Sequence, residues 1–349
     1  MVPDERKSRI LKAIVESYIT SGEPIGSKAL AEMFDNCVSS ATIRNDMTVL
    51  TSAGYLEQPH TSAGRLPTAK ALAFYVEHLM EKRSLSWQDV QIIDEMLGNA
   101  SGDATRLLED TCRALADLTG LAAIATHPDE VGCRISRIDV IQMSPRNMAV
   151  VLALDNGFLR TRMCRCQRDI PGKITVALAD YMCHRFLNKT LDAITVPAMQ
   201  EIIFELGELG LAVAPILSAF YELVQECAGN KTVCAGQFNL LRNTAYSSER
   251  AKELVALLNE RERLGTLIAE QTGDGVQILF GGDTIPELDG SCMIVAHYAL
   301  GDRGQGAIGV VGPMGLDFAD VIPRVEYFAR SVGRVLTELF EESSALDMR

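Results

Sequence analysis

The first fifty residues carry three short apolar stripes at helical spacing, separated by turn signals too close together for any long helix. That punctuation is the tightest constraint on what the chain can fold into. Ile10, Ile14, Val15 and Tyr18 mark one face of a helix over residues 4–19, which stops at Thr20-Ser21-Gly22. After Pro24, Ser27 can cap a second helix over residues 28–34, with Leu30 and Phe34 turned inward, and a tight turn at Asp35-Asn36-Cys37-Val38 follows. Ser39 or Ser40 then caps a third helix whose Ile43, Met47 and Leu50 share a stripe, and Gly54 suits its left-handed stop. Three helices so spaced predict a helix-turn-helix. Residues 55–58 and 65–67 read as two short strands around a turn-rich tip at 59–64, which makes a wing. Thr68 caps a fourth helix expected to run to about Lys82.

Beyond the charged run Glu81-Lys82-Arg83, residues 84–86 read as a linker, followed by helices at about 87–97 and 103–118. The texture then changes: 121–126, 134–143, 148–154 and 158–164 are β-branched and alternating, with Pro145-Arg146-Asn147 and Asp155-Asn156-Gly157 as turns, and predict antiparallel strands. Residues 174–230 become helical again, a long charged helix is expected over 248–271, and strands return at 276–280, 292–300 and 307–311 before a closing helix at 318–341. A helical block between two sets of strands predicts an α+β, multidomain chain with an insertion inside one domain. At 349 residues, two or three domains are the expectation.

A helix that enters the major groove must bring planar or short hydrogen-bonding groups to base edges while its other face holds the core. With Ile43, Met47 and Leu50 inward, the third helix offers Ser40, Thr42, Arg44, Asn45 and Thr48 outward. Arg44 can fork onto guanine and Asn45 onto adenine; Lys28, Ser39 and Ser40 suit phosphates, and His60 and Arg65 of the wing can reach the backbone or the minor groove. Composition does not lead here. The chain has a net charge of −13, and its first eighty residues hold eight basic against nine acidic side chains, so placement alone can make a polyanion site. A winged helix that serves only as a docking or dimerising module stays open on these residues.

Three stretches, Glu23-Pro24-Ile25-Gly26-Ser27-Lys28, Val38 to Met47 and Pro59 to Thr68, closely resemble the bacterial heat-inducible transcription repressor family HrcA. The match is dense over the first quarter; further on, Gly236-Gln237-Phe238-Asn239-Leu240-Leu241 also resembles it. The resemblance implies a homodimer that binds an inverted-repeat operator, CIRCE, in double-stranded DNA upstream of chaperone operons, with activity modulated by heat and by the chaperonin GroEL. It implies a C-terminal GAF-like antiparallel-sheet domain with a largely helical inserted dimerisation domain. The expected boundaries are 1–83 for the winged helix-turn-helix, 84–165 and 248–349 for the GAF-like domain, and 166–247 for the insert. A metabolite-responsive repressor, with a ligand in the GAF-like domain around residues 281–312, is the alternative.

Other signals point to little chemistry. Gly304-Gln305-Gly306-Ala307-Ile308-Gly309 has the G-x-G-x-x-G form, but Val310-Val311-Gly312-Pro313 continues as strand and turn, so a glycine-rich hairpin is expected, not a dinucleotide cradle. Cys164, Cys166, Cys183 and His184 lack zinc spacing, five scattered histidines form no acid–base pair, and no enzyme, cofactor or metal is expected. Nine scattered cysteines and no signal-like start suggest a reducing, cytoplasmic setting; the apolar stretch at 206–220, broken by Gly207, Glu208, Gly210 and Pro215, predicts no membrane span.

Overall fold

The computed structural model describes residues 3–346, apart from 36, 60–63, 99–103, 129–132, 156–158, 229–231, 272–274, 283–284 and 301–303. It is a mixed α+β fold with antiparallel sheets, as the alternation of textures implies.

The first and third helices form where their caps place them, whereas the cap expected of Ser27 is not made: Ser27 is the first residue of the second helix, which follows Gly26 with no side-chain cap. Asp4 accepts from Lys7 N to start α1 (Glu5–Ser21), and Gly22 ends it at φ +70° with its N–H on Tyr18 O. α2 (Ser27–Met33) leads into α3 (Ser40–Ser52), capped by Ser39, whose hydroxyl accepts from Thr42 N at 3.1 Å. β1 (Leu56–Glu57) and β2 (Leu66–Pro67) pair antiparallel, and the base of their hairpin is tied to the start of α2 by a two-way backbone bridge between Ile25 and Arg65. The expected turn at 35–38 and tip at 59–64 lie partly outside the described residues.

α4 (Ala69–Phe74) is shorter than the expected helix to Lys82. Its last turn widens into a π-turn over Tyr75–Leu79, with Met80 N bonding to Tyr75 O, and helical structure ends there. α5 (Trp87–Gly98) and α6 (Ala104–Thr119) follow as expected.

The strands divide differently from their order in the sequence. β3 (Ala122–Thr126) does not pair with its three successors. It joins β7 (Thr232–Ala235), β8 (Val276–Phe280), β9 (Ser291–Ala299) and β10 (Gln305–Pro313) in a five-stranded sheet of order β7-β3-β10-β9-β8. β4 (Ile135–Gln142), β5 (Asn147–Leu154) and β6 (Leu159–Arg165) form a separate meander. The meander packs on α7 (Gly172–Phe186) and α9 (Glu208–Ala228), with α8 (Val196–Glu205) between them, and encloses a core running from Cys133 to Cys227. The boundary expected at 165/166 therefore cuts through one hydrophobic cluster, and the strands at 134–165 belong with the helical block. Helix order concealed this, because only the partner chosen by each strand edge reveals it.

The expected long helix at 248–271 is broken. α11 (Ser248–Asn259) and α12 (Arg261–Ala269) meet at Glu260, whose ψ of 70° leaves the helical region without glycine or proline. β7 and α10 (Gln237–Arg242) were not anticipated. α13 (Phe318–Leu346) closes the fold. α9 is long and apolar enough to cross a membrane by length and composition, but it carries Val213, Ile216, Leu217 and Phe220 into the core of its own unit.

The five-stranded sheet is apolar on both faces. Ala123, Ala125, Ile294, Ala296, Ile308 and Val310 face α6 and α13, and Ala122, Ile124, Met293 and Val295 face α11 and α12. The first of these cores is one cluster with that of the N-terminal helices. At that junction Tyr18 lies over Gly315, Arg83 pairs with Asp317 at 2.8 Å, and Lys82 pairs with Glu326 at 2.6 Å.

Candidate nucleic-acid interface

α3 has two unlike sides. Ile43, Met47 and Leu50 are buried against α1 and α2, each under 5% exposed, while Arg44, Asn45 and Thr48 are open to solvent. The helix holds its direction because α1 supplies Ile10, Leu11, Ile14 and Val15 to the same core; burying each such side chain contributes about 1.5–3 kcal/mol.

The outward side opens on a cleft of about 740 Å³ between α2, α3 and the β1–β2 hairpin. Lys28, Ser40, Arg44, Thr48 and Arg65 line it together with Gln58. Five of the nine residues expected at a DNA site thus converge from three elements, and among the described lining residues there is no carboxylate. A locally cationic cleft in a chain of net charge −13 is a matter of placement, since the acidic side chains lie elsewhere.

Ser39, Thr42 and Asn45 do not line this cleft. Ser39 and Thr42 sit at the start of α3, their hydroxyls 2.9 Å apart, with Ser39 engaged as the cap; Asn45 is exposed on the neighbouring strip. Thr48 donates its hydroxyl to Arg44 O at 2.9 Å, and Arg65 Nε donates to Thr51 Oγ1 at 3.2 Å, which braces the guanidinium beside the helix. His60 lies outside the described residues. Gly64 is required by close approach: a Cβ there would meet the Ile25 carbonyl oxygen at 2.4 Å and push the hairpin off α2.

One feature of α3 escaped the sequence reading. Asp46, between Asn45 and Met47, is 2% exposed, and both its oxygens accept from Arg6 of α1: Nε at 2.9 Å and Nη2 at 3.0 Å. That hydrogen bond holds the Arg6 guanidinium above its ordinary pKa. A helical stripe calculation treats Asp46 as one more polar residue, and the partner forty positions away gives no local signal.

The other candidate chemistries look different once placed. The G-x-G-x-x-G run starts at Gly304, just before β10, and from Gln305 on it is paired with β9, with no helix following it directly. Its glycines serve packing: a Cβ on Gly306 would lie 2.4 Å from the Tyr298 ring, and one on Gly309 2.2 Å from Ile294 O. Cys183 donates its thiol to Ile138 O at 3.1 Å, burial pushes Cys164 up to about 11, and all nine cysteines are free. Among the described residues no group of three or more His, Cys, Asp or Glu side chains could hold a metal ion. A cleft of about 700 Å³ lies between β9 and α13, bordered by His297, Glu326, Arg330 and Arg334; of the described residues in the region 281–312 expected to hold a ligand in the metabolite-responsive alternative, only 296–299 line it.

Residues 105–322 match the family described as HrcA protein C terminal domain. The chain is 32% identical over 348 residues to the heat-inducible transcription repressor HrcA of Pelotomaculum thermopropionicum, covering 96% of this chain and 97% of that one. It is likewise 32% identical over 341 residues to the HrcA of Desulforudis audaxviator, covering 97% and 99%. A crystal structure described as that of a hypothetical protein superposes with a TM-score of 0.61 at 21% identity, covering 97% of this chain and all of the other, which shows a shared fold.

Proposed function

Because the chain belongs to the HrcA family of heat-inducible transcription repressors, we propose that its first 83 residues form a winged helix-turn-helix that lays α3 in the major groove of an operator. The family is one of transcription repressors, not of enzymes, and repression of this kind entails binding DNA. The observation that carries the reading is the cleft where Lys28, Ser40, Arg44, Thr48 and Arg65 converge on the solvent side of α3 with no acid among them. In the groove, Arg44 forks onto guanine and Asn45 onto adenine, while Ser40, Thr42 and Thr48 reach base edges or sugar. Lys28, Ser39 and Ser40 take phosphates beside the N-terminus of α3, and Arg65 follows the backbone with His60.

The remainder is read as a GAF-like domain built on the five-stranded sheet, with residues 133–227 as a dimerising insert. Phe204 at 88% and Leu211 at 73% exposure, flanking the α8–α9 turn, offer apolar surface for such an interface. A two-fold homodimer would present two α3 helices to the halves of an inverted repeat such as CIRCE. Avidity across both half-sites compensates for the few cations on each. Repression follows by excluding polymerase in the cytoplasm, and heat, opposed by the chaperonin GroEL, shifts the balance between the competent dimer and a separated or unfolded chain.

Fluorescence anisotropy on an inverted-repeat duplex from the chain's own upstream region tests the interface. Arg44→Ala should weaken binding by about 1–3 kcal/mol and relax base preference. Lys28→Ala should weaken all sequences alike and reduce the salt slope by about one unit. Wild-type affinity in both variants would refute the assignment of the face.

A further inference from the structure

α3 is held in the N-terminal core by Ile43, Met47 and Leu50, and such apolar contacts are non-directional: they resist withdrawal of the helix far better than a small rotation about its axis. The Arg6–Asp46 fork is directional. Two parallel N–H···O bonds, at 2.9 and 3.0 Å, join a buried carboxylate on α3 to α1.

Its angular position matters. At about 100° per residue, Arg44 and Thr48 each lie about 200° from Asp46, one on either side, so together they flank the line opposite it. These are two of the α3 side chains that line the cationic cleft. Arg6 itself is not among the cleft's lining residues.

We propose that the fork from Arg6 to Asp46 sets the rotation of α3, making both residues positioning residues for base discrimination, although neither faces the cleft. The assignment rests on the DNA-reading role of α3 given above. A planar guanidinium must meet guanine O6 and N7 together to discriminate, so a rotated helix loses the pair of bonds while phosphates can still be reached. Freeing α3 therefore lowers discrimination without removing a phosphate contact.

The test uses the full-length chain and two duplexes: one enriched by the wild type from a random-sequence pool, and one of equal length with the same bases scrambled. Asp46→Asn keeps size and removes the charge that holds the fork; Arg6→Lys keeps the cation and loses the planar pair. For each variant, affinity for both duplexes is measured across a salt series. The expected result is a fall of about tenfold or more in the ratio of the two affinities, with binding to the scrambled duplex and the salt slope unchanged. Arg6→Lys, at a half-exposed site, tests the same claim should Asp46→Asn fail to fold.

A wild-type ratio in Arg6→Lys, or an equal loss on both duplexes with a reduced slope, would overturn the proposal; the second outcome would make Arg6 a phosphate contact. Failure of the underlying reading looks different. In that case no duplex is enriched by the wild type, or Arg44→Ala leaves its binding intact.

Discussion

Residues 133–227 keep a hydrophobic core to themselves, whereas the three N-terminal helices share theirs with the five-stranded sheet. The chain leaves the sheet after Thr126 on β3 and returns at Thr232 on β7, and these two residues are direct partners in the ladder. The insert is thus a large loop of a β-hairpin, and its removal leaves both ends in register. The N-terminal unit has no such independence: Tyr18 packs on Gly315, and one hydrophobic cluster holds Leu11 and Ile14 together with Phe318 and Val332. Proximity along the chain and sharing of a core are therefore separate matters. A disturbance of the sheet reaches α3 through packed side chains, while the insert has its own core and meets α6 of the sheet domain through the 3.0 Å hydrogen bond from Arg160 to Thr105.

The largest expected effect comes from exchanging residues 128–231 for a short hairpin loop. The remaining chain should fold and elute as a monomer by light scattering, and its affinity for an inverted repeat should fall by about 100- to 10,000-fold through loss of avidity. A shortened chain that elutes as a dimer would break the contrast. Next come two truncations of fully buried rings, Phe318→Ala in the shared core and Phe220→Ala in the insert, each costing about 3–5 kcal/mol. Hydrogen exchange should then accelerate in α3 and β9 together for Phe318→Ala, and within 133–227 alone for Phe220→Ala. Faster exchange of α3 in the second variant would mean that the two cores are coupled after all.

The smallest effect sharpens the junction. Burial beside Glu16 and Asp317 pushes the Tyr75 hydroxyl up to about 12, and the hydroxyl lies 3.5 Å from Glu16 Oε1. A phenol with a raised folded-state pKa stabilises the fold fully below its unfolded value of about 10, and that contribution is lost as pH rises toward 12. Urea midpoints at pH 8 and pH 11 should therefore fall further in the wild type than in Tyr75→Phe. Equal slopes would show that the tyrosine ionises without cost to the junction.

Much of this was legible because local rules govern it. Ser39 and Thr68 act as the caps expected of them, their side chains reaching the third residue on, and the α3 stripe separates Ile43, Met47 and Leu50 from Arg44, Asn45 and Thr48. The end of the fourth helix and the break at Glu260 were not legible. A π-turn and a ψ of 70° arise there in residues that are ordinary helix formers, so propensity gives no warning. Nothing within a few residues of Asp46 marks it as buried, because its partner Arg6 is remote in sequence.

By itself the amino-acid order determined most of the elements, the burial stripe of α3 and the kinship of the chain, since caps, periodicity and motifs act within a few residues of one another. Tertiary structure alone decided that β3 pairs with β7 and β10 and not with β4, that Lys28, Arg44 and Arg65 share one cleft, and that Arg6 reaches Asp46. Strand edges, clefts and forked ion pairs join residues tens to nearly two hundred positions apart. Which of the available partners each one takes depends on how whole elements pack, and no local pattern records that.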